Sequence, residues 1–453
     1  MLHGRRPGAL AALAVSALIG LAFLLYEVAL RIPPFDADNL VVLSTSARSY
    51  SDPWNLFTGS FISYIPGYRP LPYVTIWAQY RLFGVDATPF FVVNVLLWAG
   101  CAAVVYLLAA RLAMRARGAV LLAAVALLVD TRGRASIYWI GERQATMACV
   151  LGGAALLLVL GRDPARRRRV TEVAIFALLL GAFLSKEYGL AFAPAMFAVA
   201  AARGRAGLDR RLLVITVGAV AAYGLMRLAL AGGASPPYCE QMGFFGERRT
   251  EVCYDEVSFR FRVSQHVYNI GATLAGTLLP GLFEDDGVLR SPSVISNLPL
   301  GELVRKLALP GLVAVAAVVA WIRHTRATLP LLVLVVANAT LSFMLYRDRN
   351  PLVGLIAVYA SAGVTFAELL AGARASRARA VATAVAALAV LAVVGGAATL
   401  AGDPVEAFQA ETASTDPCVA YSRYREEIAP GLLARVKREH GLHDVDCRPA
   451  TPP

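Results

Sequence analysis

Apolar runs long enough to cross a bilayer recur along this chain, and arginines punctuate them. The runs cover roughly 8–30, 89–110, 117–131, 144–161, 170–185, 188–202, 212–232, 303–322, 328–345, 352–372 and 380–400. A helix of about 20 apolar residues spans the hydrocarbon layer, and only helices or closed barrels satisfy their backbone there. With 58% of 453 residues hydrophobic and 16% charged, the sequence predicts an all-α polytopic membrane protein of about eleven transmembrane helices. The first run follows HGRR, exceeds a secretory h-region in length and has no small-residue cleavage site before FDAD, so it reads as an uncleaved anchor.

The net charge of +12 invites a nucleic-acid partner, but its distribution argues for a membrane orientation instead. Arginines gather in short loops with almost no acid: Arg111, Arg115 and Arg117; Arg162 and Arg166 to Arg169; Arg203, Arg205, Arg210 and Arg211; Arg323 and Arg326; Arg374, Arg377 and Arg379. The positive-inside rule places these, with Arg5 and Arg6, in the cytoplasm. The alternate loops carry most of the Asp and Glu. The N-terminus is then inside, the C-terminus outside, and no nucleic acid is implied. The run from Val170 to Ala202 is too long for one helix and has cytoplasmic arginines at both ends. It must go out and return, with Lys186-Glu187-Tyr188-Gly189 as its outer turn.

Charged and aromatic residues collect on that outer side. The first outer loop holds Asp36, Asp38, Asp52, Trp54, Tyr68 and Arg69, and its composition predicts short interfacial helices. Further clusters are Tyr138 to Gln144, Lys186-Glu187, Arg227 near the outer end of its span, and Arg347-Asp348-Arg349. A transporter tends to hold its ionisable groups near the bilayer midplane. Here they stand at one mouth.

The stretches FDADNL, SDPWNLF, GYRPLPYVTIWAQYRLFG, PFFVVNVLLW, IGERQ and SKEYG resemble, in order and spacing, the GT-C superfamily of polyprenyl-phosphate-sugar-dependent glycosyltransferases. The pattern is nearest to that of protein O-mannosyltransferases and the TPR-containing transmembrane mannosyltransferase-like proteins. It covers roughly Asp36 to Arg227. The resemblance implies a GT-C-like bundle and a sugar donor carried on a polyprenyl phosphate. Where the family has adjacent acids this chain has Asp36-Ala37-Asp38, so either aspartate can inherit the role. No TPR array follows.

Such a reaction needs a carboxylate to take the acceptor's proton and cations to hold the phosphate. Asp38, just beyond the first span, is the expected base and Asp36 the alternative; both could instead simply solvate the loop. Arg69, Arg227 and Lys186 are the expected phosphate holders, since a cation inside the apolar AAYGLMRLAL is costly without a partner. Arg227 could equally snorkel to the interface. Glu142, Arg143, Glu187 and Asp52 are candidates for orienting these groups or meeting the acceptor, Glu142-Arg143 being readable also as a local surface pair. The histidines form no ligand-spaced cluster, and no phosphate loop or metal motif occurs. No cofactor is required; a divalent ion at Asp36 and Asp38 is compatible with the chemistry. The implied partners are the lipid-linked donor, membrane lipids, and a glycan, lipid or protein acceptor. The alternative function is a lipid-linked-glycan flippase without bond chemistry.

Cys239, Cys253, Cys418 and Cys447 all fall in segments assigned outside, where an oxidising plasma-membrane exterior or periplasm permits disulfides. The simplest pairing is Cys239–Cys253 and Cys418–Cys447; free thiols or cross-pairing remain the alternative. VSQHVYNIGATLAGTLLPGLF is read as interfacial or re-entrant, because counting it as a span would reverse every later loop. The chain divides into a catalytic module (1–232), an outer loop (233–302), C-terminal spans (303–400) and a small disulfide-linked outer tail (401–453).

Overall fold

The computed structural model describes residues 9–26, 37–48, 51–58, 68–113, 117–130, 133–161, 169–202, 209–230, 239–242, 250–253, 259–279, 309–341 and 352–372. The helices are α1 (Ala9–Leu25), α2 (Ala37–Arg48), α3 (Asn55–Thr58), α4 (Pro70–Phe83), α5 (Ala87–Leu112), α6 (Arg117–Leu128), α7 (Gly133–Tyr138), α8 (Arg143–Gly161), α9 (Arg169–Ser185), α10 (Phe192–Ala202), α11 (Arg210–Leu230), α12 (Phe259–Leu278), α13 (Leu309–Arg323), α14 (Thr325–Thr340) and α15 (Leu352–Gly372). Two 3-10 turns, Ile140–Glu142 and Glu187–Ala191, precede α8 and α10. A short antiparallel pair, β1 (Cys239–Met242) and β2 (Thr250–Cys253), stands apart from this helical pattern.

One apolar core runs from Leu18 of α1 to Ala367 of α15. Within it α15 packs on α5, α6, α13 and α14, while α8 is held between α5 and α9. The fold is thus an all-helical membrane bundle. Among the described residues four helices are long and apolar enough to cross a membrane: Ala87–Leu112, Ile140–Gly161, Arg210–Leu230 and Leu352–Ala371. Leu10–Leu25, Glu187–Ala202, Pro310–Arg323 and Thr325–Thr340 are shorter apolar helices. Helices occupy ten of the eleven predicted spans; the eleventh, 380–400, lies outside the described residues.

The shorter crossings have physical causes. At about 1.5 Å per residue, α6 is some 18 Å long. It stops inside the bundle, where the Leu128 carbonyl accepts from Tyr26 Oη at 2.6 Å and Trp98 Nε1 at 3.4 Å. Side chains replace the helical donors that carbonyl has lost, which permits irregular backbone at that depth. The span predicted at 188–202 starts as a 3-10 turn because Gly189 lies against α9. A Cβ there would stand 2.4 Å from the Ala182 carbonyl oxygen.

The first outer loop does contain helices, and they fold around a second, smaller core of Val42, Leu43, Leu56, Tyr73, Ile76, Phe90, Phe91 and Ile140. Burying each large apolar group of this set contributes about 2 kcal/mol. Pro70 opens α4 where the missing N–H costs nothing. Gly84, at φ 62°, ends it. Asp86 then caps α5 by accepting from the Thr88 N–H at 3.0 Å.

The predicted outer turn at Lys186 is not a solvated tip, since Lys186 is buried. A labelling test of orientation is therefore better made at Trp54, which is 59% exposed. Trp54→Cys is expected to react with an impermeant thiol reagent in intact cells. Labelling only after permeabilisation would reverse the assigned orientation.

Candidate active site

Four segments converge at one end of the bundle: the start of α4, the turn into α8, the turn into α10, and the last turns of α11. The Arg69 guanidinium donates from Nε to Glu187 Oε2 at 2.8 Å and from Nη1 to Gln144 Oε1 at 2.6 Å. Gln144 Nε2 in turn lies 3.4 Å from the Tyr73 hydroxyl. Burial opposes the charge of Arg69, but Glu187, through its field and its hydrogen bond, together with Tyr73 and Tyr188, outweighs it and holds the guanidinium above its usual range. Burial pushes the Tyr73 phenol up to about 12 against the field of Arg69. Both groups hold their ordinary protonation at neutral pH.

Lys186 Nζ donates to Glu142 Oε1 at 2.9 Å, with side-chain exposures of 7% and 2%. The ammonium also stands 5.2 Å from the Tyr188 ring centroid, within cation–π range. Glu142 thus pairs across the chain with the lysine of the other turn. Arg143 runs the other way. Its guanidinium donates to Asn94 Oδ1 at 3.0 Å, Thr75 Oγ1 at 3.3 Å, Gln79 Oε1 and the Phe90 carbonyl at 3.0 Å, all uncharged. The residue is fully buried. Thr75 and Gln79, four apart on α4, share the face that meets it, so Arg143 fastens α4 and α5 to the start of α8.

Arg227 forms no ion pair among the described residues. It lies one turn beyond Tyr223 on α11, and Arg227, Glu187 and Arg69 all stand within electrostatic reach of the Tyr223 phenol. The Tyr223 ring packs against Tyr68, centroids 6.3 Å apart, and edge-on to Phe183 at 6.2 Å. Of the three expected phosphate holders, two are committed to carboxylates, Arg69 with its Nη2 left over and Lys186; among the described residues Arg227 has no carboxylate partner. Among the described residues the cluster holds four cations (Arg69, Arg143, Lys186, Arg227) and two carboxylates (Glu142, Glu187).

Asp36 lies outside the described residues, and of Asp38 only the backbone, in the first turn of α2, is described. Its neighbour Asn39 fixes that turn. Asn39 Nδ2 donates to the Tyr138 carbonyl at 3.1 Å, and its Oδ1 accepts from the Ile140 N–H at 2.8 Å. The Asp38 backbone is thereby tied to the turn that carries Glu142. Asp52 is exposed, and its Oδ1 accepts from the Trp54 N–H at 3.0 Å, an Asx-type cap on the α3 turn. No group of three His, Cys, Asp or Glu at metal-holding spacing occurs among the described residues. Arg347 to Arg349, Cys418 and Cys447 lie outside them.

Sequence reasoning missed Asn39, Thr75, Gln79, Asn94 and Tyr223. Polar side chains at helical spacing within apolar runs, such as Thr75 with Gln79, were the available signal. Nothing in the sequence marks Tyr223, whose place is set only by how α11 packs on α9.

The bundle and its charged end define a multi-pass membrane protein with the GT-C fold. That fold is shared with the archaeal oligosaccharyltransferase AglB from Archaeoglobus fulgidus, solved with an inhibitory peptide and a dolichol-phosphate. The TM-score is 0.52 at 15% identity, over 85% of this chain. The chain spans 56% of the length of that relative. ArnT from Cupriavidus metallidurans, solved bound to undecaprenyl phosphate, matches over 89% of this chain and 80% of its own, at 18% identity and a TM-score of 0.49. No protein-family model and no curated protein sequence matches the chain.

Proposed function

We propose that this protein is an integral-membrane glycosyltransferase that moves a sugar from a polyprenyl-phosphate donor to an acceptor hydroxyl at the outer face of the plasma membrane. The observation that carries this reading is the gathering of four cations at one end of a GT-C bundle, with Arg227 on α11 outside any ion pair among the described residues. Such clustered cations suit a lipid phosphate, and the fold is one that holds a dolichol-phosphate in AglB. In this reading Arg227 and the remaining Nη2 of Arg69 hold the phosphate. Their charge offsets what develops on it as the sugar C1 leaves. The Asp38 carboxylate takes the proton of the attacking hydroxyl, and attack from the face opposite the phosphate inverts the anomeric centre. Asp36 is the alternative base. Lys186 and Glu142, paired out of water, hold the two turns in register and add to the local field. Glu187 orients Arg69.

The same reading keeps residues 1–232 as the catalytic module, 233–302 as an outer loop, 303–400 as C-terminal spans and 401–453 as a disulfide-linked tail. A Cys239–Cys253 bridge belongs to it, supported by a register that sets Cys239 opposite Cys253. Directly opposed Cα atoms in antiparallel strands are about 4.5–5.5 Å apart, inside the range a disulfide spans.

Arg227→Ala tests the carrying observation. Loss of a phosphate-holding cation acts on bound and transition states alike, so both donor affinity and turnover are expected to fall. A charge-assisted contact of about 1.5–3 kcal/mol corresponds to roughly 10- to 150-fold in affinity. Unchanged binding of polyprenyl phosphate to the purified variant would remove Arg227 from the phosphate site.

A further inference from the structure

Three buried polar atoms of the cluster have no hydrogen-bond partner among the described residues: Tyr68 Oη, Tyr223 Oη and Glu187 Oε1. Tyr68 and Tyr223 are 2% and 4% exposed. Buried polar groups without partners are few in folded proteins, and three on neighbouring residues of one cluster suggest a ligand that completes them. The two rings lie 6.3 Å apart between centroids, and Glu187 is anchored by its other oxygen to Arg69, the residue that follows Tyr68. Arg227 approaches the Tyr223 hydroxyl without forming a hydrogen bond of proper geometry.

We infer that Tyr68, Tyr223 and Glu187 form a subsite that reads the hydroxyl groups of a neutral sugar, the sugar carried by the lipid donor. The inference rests on the glycosyltransferase reading above and adds the class of sugar. Two phenols that both donate and accept, beside one carboxylate oxygen that only accepts, match neighbouring sugar hydroxyls, which themselves donate and accept. The phosphate is a poor occupant, because Glu187 would face it with like charge. A uronic acid is disfavoured for the same reason. An amino sugar meets the opposite obstacle, since Arg69 is paired to that carboxylate and Arg227 stands near Tyr223, and both would repel an ammonium. A neutral hexose or pentose escapes both penalties. Acceptor sugars share this chemistry, but the subsite adjoins the cations assigned to the donor phosphate, which favours the donor's sugar.

The test compares two probes, polyprenyl phosphate alone and polyprenyl phosphate bearing a neutral hexose, on the full-length protein. Tyr68→Phe and Tyr223→Phe keep the ring packing and remove only the hydroxyl. Each is expected to weaken the sugar-bearing lipid by about 3- to 10-fold while leaving the sugar-free lipid unchanged. Glu187→Gln is expected to weaken it by about 10- to 100-fold. Equal affinities of wild type and variants for the sugar-bearing lipid would overturn the inference and leave the donor-lipid reading intact. A change confined to acceptor KM would overturn the donor assignment. If wild type binds neither lipid, the glycosyltransferase reading fails first and this subsite fails with it. Preference for a donor bearing a uronic acid or amino sugar over the neutral hexose would overturn the assigned class.

Discussion

Asp38→Asn is expected to lower sugar transfer by roughly 10²–10⁴-fold, the usual effect of losing a general base, while the donor lipid still binds. The substitution keeps size and removes the proton acceptor. The Asn39 side chain already bonds both Tyr138 and Ile140, so the helix carrying position 38 has an anchor that the substitution does not touch. A fall in turnover with unchanged donor affinity therefore separates chemistry from folding. Asp36→Asn is the matching control. If that variant is inactive and Asp38→Asn is not, the base is Asp36 and the mechanism survives. Full activity in both, with a defined donor and acceptor, would take the base out of the first outer loop.

Breaking the Lys186–Glu142 pair is expected to produce the second large effect, this time on stability. Both side chains are almost wholly buried at 2.9 Å, so removing one deprives the other of this ion pair in a poorly solvated place. Lys186→Met should destabilise by about 3–5 kcal/mol. The double variant Lys186→Met with Glu142→Leu removes both charges and is expected to recover most of that loss, because an apolar replacement of a buried pair is often close to neutral. Thermal unfolding in one detergent can be compared across wild type, single and double variants. A single variant that melts with wild type would show the pair to be solvated. The recovered double variant should still be defective in transfer, since the proposed function draws on the charge of Lys186 as well as on its packing.

The places of the helical segments along the chain were legible because apolarity over a bilayer's thickness is a one-dimensional property. Helices stand in ten of the predicted spans, and the first outer loop does contain α2, α3 and α4. The gathering of Arg69, Glu142, Lys186, Glu187 and Arg227 at one end was legible too, since alternating loops force every second turn to the same side. What those charges bond to was not. Lys186 and Glu187 are neighbours in the chain, yet extended backbone at Lys186 sends them to different partners, Glu142 and Arg69. Glu142 and Arg143 diverge likewise, one to a lysine and the other into a shell of amides, a hydroxyl and a carbonyl. Sequence adjacency sets which charges can reach a site, whereas pairing depends on distances of a few ångströms between segments far apart in the chain. Through the hydrophobic period the sequence by itself determined a helical membrane bundle with its charged turns at one end. Only the packing of α4, α8, α9 and α11 decided that Arg69 pairs with Glu187 and Lys186 with Glu142, and that Arg227 stands outside any ion pair among the described residues. It also brought Tyr223 beside Tyr68, because Coulomb and hydrogen-bond energies act across space and carry no trace of sequence separation.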